Sequence, residues 1–122
     1  MPLFNGALPP SYTKVDAEVL GVPADPKGSQ IDGDRGRNAI THATADDHAF
    51  KIPTIRNAAM TAPYMHNGVF ASLEEVIDFY DIGGGAGLGI KIDNQTLSAG
   101  PLKLSVKEKK ELIAFIKCLN NQ

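Results

Sequence analysis

The sequence predicts a mainly α protein with long irregular loops, and three observations predict it. Two segments carry paired start signals for amphipathic helices, one opening at Ser72 and one at Ser105. Twelve Gly and eight Pro fall where they break periodicity, so regular elements are few. Between Asn38 and Phe50 neither a 3.6-residue nor a 2-residue hydrophobic period is sustained.

In chain order, residues 1–50 read as irregular. Pro2, Pro9, Pro10, Pro23 and Pro26 alternate with Gly6, Gly21, Gly28, Gly33 and Gly36, and only Lys14–Leu20 is long enough for a helix. Phe50 to Ile55 alternates and contains Pro53, which pushes Ile52 into an extended conformation. Ser72 with Glu75 has the spacing of a capping box, and Leu73, Val76, Ile77 and Tyr80 fall on one face of the helix it opens. The glycines from Gly83 stop this helix after roughly eight residues. Gly83 to Gly89 reads as a flexible connection and Gly100-Pro101 as a turn. Ser105 with Glu108 opens a terminal helix of roughly fourteen residues, reaching about Leu119. Its predicted apolar stripe is Leu112, Phe115, Ile116 and Leu119, with Lys107, Lys109, Lys110 and Glu111 in water. The sequence reads as one domain, irregular over 1–50, chemically dense over 50–82, and ending in the helix 105–119.

Two helices supply little amphipathic surface for 122 residues. Either the loops pack around something other than protein, or the sequence is part of a larger domain. A net charge of −2 without a Lys/Arg cluster gives no footprint for nucleic acid. No apolar run approaches the ~20 residues of a membrane helix, and Met1 to Ala7 lacks the basic and apolar regions of a signal peptide. One cysteine, Cys118, cannot form an internal disulfide or a Cys-x-x-Cys-His haem attachment. Late in an amphipathic helix, it is expected to be a small buried or half-buried side chain rather than a nucleophile.

The chemically dense segment runs Lys51-Ile52-Pro53-Thr54-Ile55-Arg56-Asn57, then Thr61-Ala62-Pro63-Tyr64-Met65-His66-Asn67-Gly68, then Ser72-Leu73-Glu74-Glu75-Val76. These three linked phrases, with Asp34-Arg35-Gly36-Arg37 before them and Leu102 to Leu119 after, resemble the C-terminal haem domain of bacterial di-haem cytochrome c peroxidases and MauG-like proteins. The resemblance covers residues 34–119 well and the first thirty loosely. It implies the C-terminal portion of a cytochrome c-like haem domain within a periplasmic oxidoreductase that reduces peroxide, or uses it to oxidise a partner, at two haems c. The sequence departs from the family in containing no attachment motif, so the chain alone is expected to be inactive. Pro2-Leu3-Phe4-Asn5-Gly6 resembles the stretch immediately after the family's second attachment motif, so the resemblance implies a sequence that starts just downstream of that motif. The expected partners are the haem-bearing remainder, or a chain that carries it, and an electron-donor or substrate protein.

The same resemblance suggests residue roles. Tyr80, fourteen residues after His66, matches the position of the distal axial ligand of the C-terminal haem, which is Met in some members and Tyr in MauG-like ones. An anionic phenolate oxygen stabilises ferric and higher iron states, whereas a thioether favours ferrous iron. On periodicity alone Tyr80 reads equally as a core aromatic. Arg56 carries a planar fork suited to haem propionates, though a solvent-facing Arg is the plain alternative. Thr61 and Pro63 match positions whose backbone carbonyls help bind calcium between the two haem domains. His66 is expected at a structural or haem-edge position rather than on the iron, and Asn57 is expected to hold loop backbone. His42, His48, Asp46 and Asp47 sketch a surface metal site whose spacing fits no helix face, and Met60 and Met65 read as core. The competing reading is a haem-free interaction module that keeps this fold to dock a partner.

Overall fold

The computed structural model describes residues 17–26, 28 and 30–120. Its regular elements are strand β1 (Ala17–Glu18), helix α1 (Asn38–Thr41), strand β2 (Phe50–Lys51), and helices α2 (Leu73–Asp81), α3 (Gly84–Gly87) and α4 (Val106–Cys118). Two single 3-10 turns lie at Thr44–Asp46 and Ala58–Met60. The rest of the described chain is loop, as the glycine and proline pattern predicts.

The predicted helix over Lys14–Leu20 is corrected by the structure. Residues 14–16 lie outside the described residues, and Ala17 and Glu18 are a strand, antiparallel to β2 with Ala17 opposite Lys51 and Glu18 opposite Phe50. The segment then threads against the loop near residue 96: the Val19 amide donates to Thr96 Oγ1 at 2.9 Å, and the Thr96 amide donates to the Val19 carbonyl at 2.9 Å. With both edges of the backbone bonded to other segments, and Val19 only 1% exposed, tertiary pairing overrides a weak local pattern.

Helix α2 begins where expected. The Ser72 hydroxyl accepts from the Glu75 amide at 3.3 Å, but the reciprocal half of the capping box is not formed, because the Glu75 carboxylate instead accepts a hydrogen bond from the Ser72 hydroxyl at 3.3 Å. Leu73 and Ile77 are buried as the stripe requires, whereas Val76 and Tyr80 are half-buried. Phe79, off the predicted stripe, is 2% exposed. Its ring packs on Phe70 with centroids 5.2 Å apart, so the loop before α2 covers a second face of the helix.

The glycine run is not a loose linker. Gly83, at φ 98°, follows the Ile82 cap of α2 and is itself the N-cap of α3, and Gly83, Gly84 and Gly85 are all buried. The Gly85 amide donates to the Leu20 carbonyl at 2.8 Å, and a Cβ on Gly85 would lie 2.3 Å from the Gly21 carbonyl oxygen. Gln95 staples the turn: its Oε1 accepts from the Ala86 amide at 3.0 Å and its Nε2 donates to the Gly83 and Leu97 carbonyls at 2.8 and 2.9 Å. Small side chains serve close packing of two backbones here rather than flexibility.

Helix α4 has both halves of its capping box, with Ser105 Oγ accepting from the Glu108 amide at 3.1 Å and Glu108 accepting from the Ser105 amide at 2.9 Å. Its buried face centres on Ile113, which joins Leu73 and Ile77 in a cluster flanked by Ala59, Tyr64, Leu104 and Ile116. The predicted stripe is therefore rotated. Leu112 and Phe115 remain 41% and 42% exposed, because α2 and the Ala58–Met60 turn cover the Ile113 side. Lys109, expected in water, is half-buried and reaches Asp78 and Asp81 of α2 at 2.8 and 3.1 Å.

Gly85→Ala is expected to destabilise the fold by roughly 1–3 kcal/mol, because a methyl there must displace the Gly21 backbone rather than a flexible side chain. Urea unfolding followed by circular dichroism checks this; an unchanged midpoint would show that the two backbones are not in contact in solution.

Candidate functional site

The dense segment of the sequence wraps around one carbonyl. Ala58 O accepts from the Thr61 amide at 3.2 Å, the Thr61 hydroxyl at 3.0 Å and the Tyr64 hydroxyl at 2.8 Å. Upstream, Asn57 adopts a left-handed conformation at φ 61°, and its amide donates to the Leu119 carbonyl at 3.2 Å, fastening the loop to the end of α4. Downstream, the Tyr64 amide donates to the Phe70 carbonyl at 2.7 Å, closing a loop that presents Pro63 to Gly68. Among the described backbone hydrogen bonds, none uses the carbonyl of Thr61 or Pro63, and both residues are exposed.

Arg56 is exposed. Its amide donates to Thr54 Oγ1 at 3.2 Å, while its guanidinium meets no carboxylate among the described residues. Met60, predicted as core, is 69% exposed, because the 3-10 turn directs the Ala59 side inward instead; Met65 is half-buried at φ 71°.

His66 is fixed from two sides. Its ring stacks on Phe50 of β2, centroids 3.8 Å apart and planes 9° from parallel, and its Nε2 lies 2.9 Å from Asp32 Oδ2. The His66 and Asp32 side chains are 15% and 22% exposed. The His66 hydrogen bond, with help from the Asp34 amide, holds the Asp32 carboxyl below the usual carboxylate range. A carboxylate can only accept, so Nε2 carries the proton. Sequence reasoning missed Asp32. It lies 34 residues from His66, and no local spacing connects an aspartate in a Gly-rich loop to a histidine so distant.

Tyr80, at the end of α2, has its phenol pushed up to about 12, first by burial and then by the negative charge of Glu18 on β1. At neutral pH it is therefore a protonated phenol. Phe79 meets its ring edge-on at 6.2 Å. Among the described residues no hydrogen bond to the Tyr80 hydroxyl is present, and no hydrogen bond or ion pair joins Tyr80, Arg56 and His66 to one another.

The surface histidines have protein partners. His48 Nδ1 lies 3.0 Å from the Asp34 carbonyl, and Asp47 takes a two-point bond from Arg35 at 2.7 and 2.9 Å. His42 caps α1 at φ 57°, and Asp46 accepts from the Thr41 hydroxyl at 2.7 Å. Among the described residues no three His, Cys, Asp or Glu side chains gather as a metal site. Cys118 is exposed, contrary to its expected burial, because the buried face of α4 centres on Ile113, which packs on Leu73 and Ile77. No described helix is long and apolar enough to cross a membrane.

The Tyr80 phenol is half-buried and without a hydrogen-bond partner among the described residues, which form a mainly helical, loop-rich fold. That fold is shared with a MauG-like protein of cytochrome c type. No family model matches the chain. It is 44% identical over 97 residues to the cytochrome-c peroxidase IdrP1 of Pseudomonas sp. (strain SCT), covering 80% of this chain and 24% of that protein. It is 38% identical over 85 residues to the methylamine utilization protein MauG of Methylorubrum extorquens, covering 70% of this chain and 23% of that protein. A crystal structure of a MauG-like protein associated with microbial copper homeostasis superposes with a TM-score of 0.64 at 34% identity, over 87% of this chain and 33% of that one. The chain belongs to the cytochrome c peroxidase and MauG family and spans about a quarter of the length of the curated relatives it matches.

These shifts predict two titrations. Asp32, Asp47 and Asp81 are all held below the ordinary 3.8, by His66, by Arg35, and by the Leu104 amide with Lys109 respectively. Lowered folded values add stability above the ordinary carboxylate range, and that stability is lost as pH falls through them. Thermal melts between about pH 5 and 2 are expected to decline, and less steeply in Asp32→Asn. At the other end, Tyr80 is raised, so its contribution is complete below pH 10.0 and lost as pH rises through about 12. Absorbance at alkaline pH should show a late phenol ionisation that is missing from Tyr80→Phe.

Proposed function

We propose that this chain supplies the distal wall of the C-terminal haem in a peroxidase-like di-haem oxidoreductase that works in the periplasm. The observation that carries the reading is Tyr80: a half-buried, protonated phenol with no hydrogen-bond partner among the described residues, on α2 of a chain whose relatives are cytochrome c peroxidases and MauG. When bound, the haem supplies the one-electron chemistry by which peroxide is reduced or a partner oxidised.

The chain's own contributions are an oxygen ligand and a charge frame. Tyr80 keeps its proton in the apo protein, because burial and Glu18 both oppose the phenolate. A metal cation would be the natural replacement for that proton, and an anionic Tyr80 oxygen would favour oxidised iron. Arg56, exposed and without a carboxylate partner among the described residues, is placed to pair with propionates. His66, held by Asp32 and stacked on Phe50, is assigned to the cofactor's edge rather than to the metal. The carbonyls of Thr61 and Pro63 are hard oxygen donors suited to calcium, whose remaining ligands come from outside this chain. Covalent attachment, the second haem and the docking of an electron donor or substrate protein belong to the haem-bearing remainder or to a partner chain.

Titration with haemin should produce a Soret band whose position changes in Tyr80→Phe, while the chain alone turns over no peroxide. A band identical in Tyr80→Phe would remove the ligand role. No band at all would favour the haem-free docking module.

A further inference from the structure

Among the described residues, Asn67–Gly68 is the one place where an asparagine precedes a glycine, and the haem reading gives it no task. Such a pair is chemically labile, because a glycine without Cβ leaves its backbone nitrogen open to attack on the neighbouring side-chain amide. The structure holds this pair by three bonds. Asn67 Nδ2 donates to the Pro23 carbonyl at 3.0 Å, its Oδ1 accepts from the Val69 amide at 3.1 Å, and the Gly68 amide donates to the Met65 carbonyl at 3.2 Å. The bond to Val69 is an Asx turn, which aims the side-chain carbonyl at the amide two residues on rather than at the Gly68 nitrogen. Pro23 is under 2% exposed and Gly68 lies at φ 67°, so the tie runs from a buried strap to a left-handed turn. Asn67 itself is exposed, and water reaches it. The Asp32 carboxyl is held below its usual range by His66 first, then by the Asp34 amide and by Asn67. A carboxylate only accepts, so the Asn67 amide nitrogen faces two acceptors, Asp32 and the Pro23 carbonyl.

We propose that Asn67–Gly68 is a deamidation site, closed while the loop is docked on Pro23, and that its conversion to aspartate or isoaspartate releases the loop 63–68. The assignment is independent of the haem reading. When the loop opens, the Gly68 backbone nitrogen gives its proton to solvent and bonds to Asn67 Cγ; the Cγ–Nδ2 bond breaks and ammonia leaves with a proton. The resulting cyclic imide adds one water and reopens to aspartate or, through the side chain, to isoaspartate. Water enters, ammonia departs, and nothing is oxidised or reduced. An acid at position 67 cannot donate to the Pro23 carbonyl, and its negative charge faces that of Asp32. The isoaspartate form also adds a methylene to the backbone of a turn that the Tyr64–Phe70 bond holds closed. Either product removes the tie that keeps the next residue, His66, against Asp32 and Phe50.

The experiment follows the whole chain by peptide mass spectrometry and isoaspartate labelling during incubation at mildly alkaline pH, in native buffer and in denaturing urea. In urea both Asn-Gly pairs of the sequence, Asn5–Gly6 and Asn67–Gly68, are expected to gain isoaspartate at similar rates. In native buffer, conversion at Asn67 should run about tenfold slower than in urea, because the loop must first open by breaking two side-chain hydrogen bonds. Asn67→Ser should abolish the signal at that position in both. Hydrogen exchange then reads the consequence. In Asn67→Asp the Tyr64 and Gly68 amides should exchange about tenfold faster than in the unmodified chain, with the Glu108 amide of α4 unchanged. Chain aged in native buffer supplies the same comparison if Asn67→Asp does not fold. No conversion at Asn67 in urea, equal rates in the two buffers, or loop exchange unaltered in both Asn67→Asp and the aged chain would each overturn the proposal.

Discussion

The structure depends on one close approach, that of the Leu20-Gly21 backbone to the Gly84-Gly85 backbone. Gly85 N–H meets the Leu20 carbonyl at 2.8 Å, and none of Gly21, Gly84 and Gly85 has room for a side chain. Because the two strips of backbone touch, the segment before Gly21 is delivered to β2 and to Thr96, and Glu18 arrives near the Tyr80 phenol. Small residues here take the place that a larger apolar core fills in other domains of this size. Among the described residues, the largest side chains below 2% exposure are Val19 and Pro23.

A second constraint organises the functional segment. Turning the chain back on itself around the Ala58 carbonyl places Thr61, Pro63 and His66 on a rigid loop rather than on a helix or strand. Loop residues become precise only when other segments hold them. Here the holders are distant in sequence: Leu119 for Asn57, Asp32 and Phe50 for His66, and Pro23 for Asn67. The charge frame is distributed in the same way, with Asp32, Asp47 and Asp81 each fixed by a partner from another part of the chain.

The two capped helices were legible because their signals are local. Ser72, Glu75, Ser105 and Glu108 lie within one helical turn of the ends they mark. Which face each helix buries was less legible. Leu112 and Phe115 have the right spacing for a core stripe, yet the neighbours of α4 sit over Ile113. Phe79 is buried by Phe70, whose position depends on a loop rather than on helical periodicity. The glycine run carried a composition that loose linkers share, and only its contact with Gly21 and Gln95 distinguishes it. At the site, the family phrases pointed to Arg56, Thr61, Pro63, His66 and Tyr80, while Asp32 and Glu18 were invisible because their importance comes from through-space neighbours.

The fork of Lys109 between Asp78 and Asp81 bears on how the molecule assembles. Two carboxylates in the last turn of α2 oppose the helix dipole, whose carbonyl end favours positive charge, and α2 itself offers no basic residue there. Lys109, from α4, supplies that charge at 2.8 and 3.1 Å, and the Leu104 amide donates to Asp81 at 2.9 Å. The end of α2 is thus electrostatically complete only when α4 is in place, which makes the two helices a single cooperative unit. The helix that carries Tyr80 is thus tied to the terminal helix by one ammonium shared between two carboxylates.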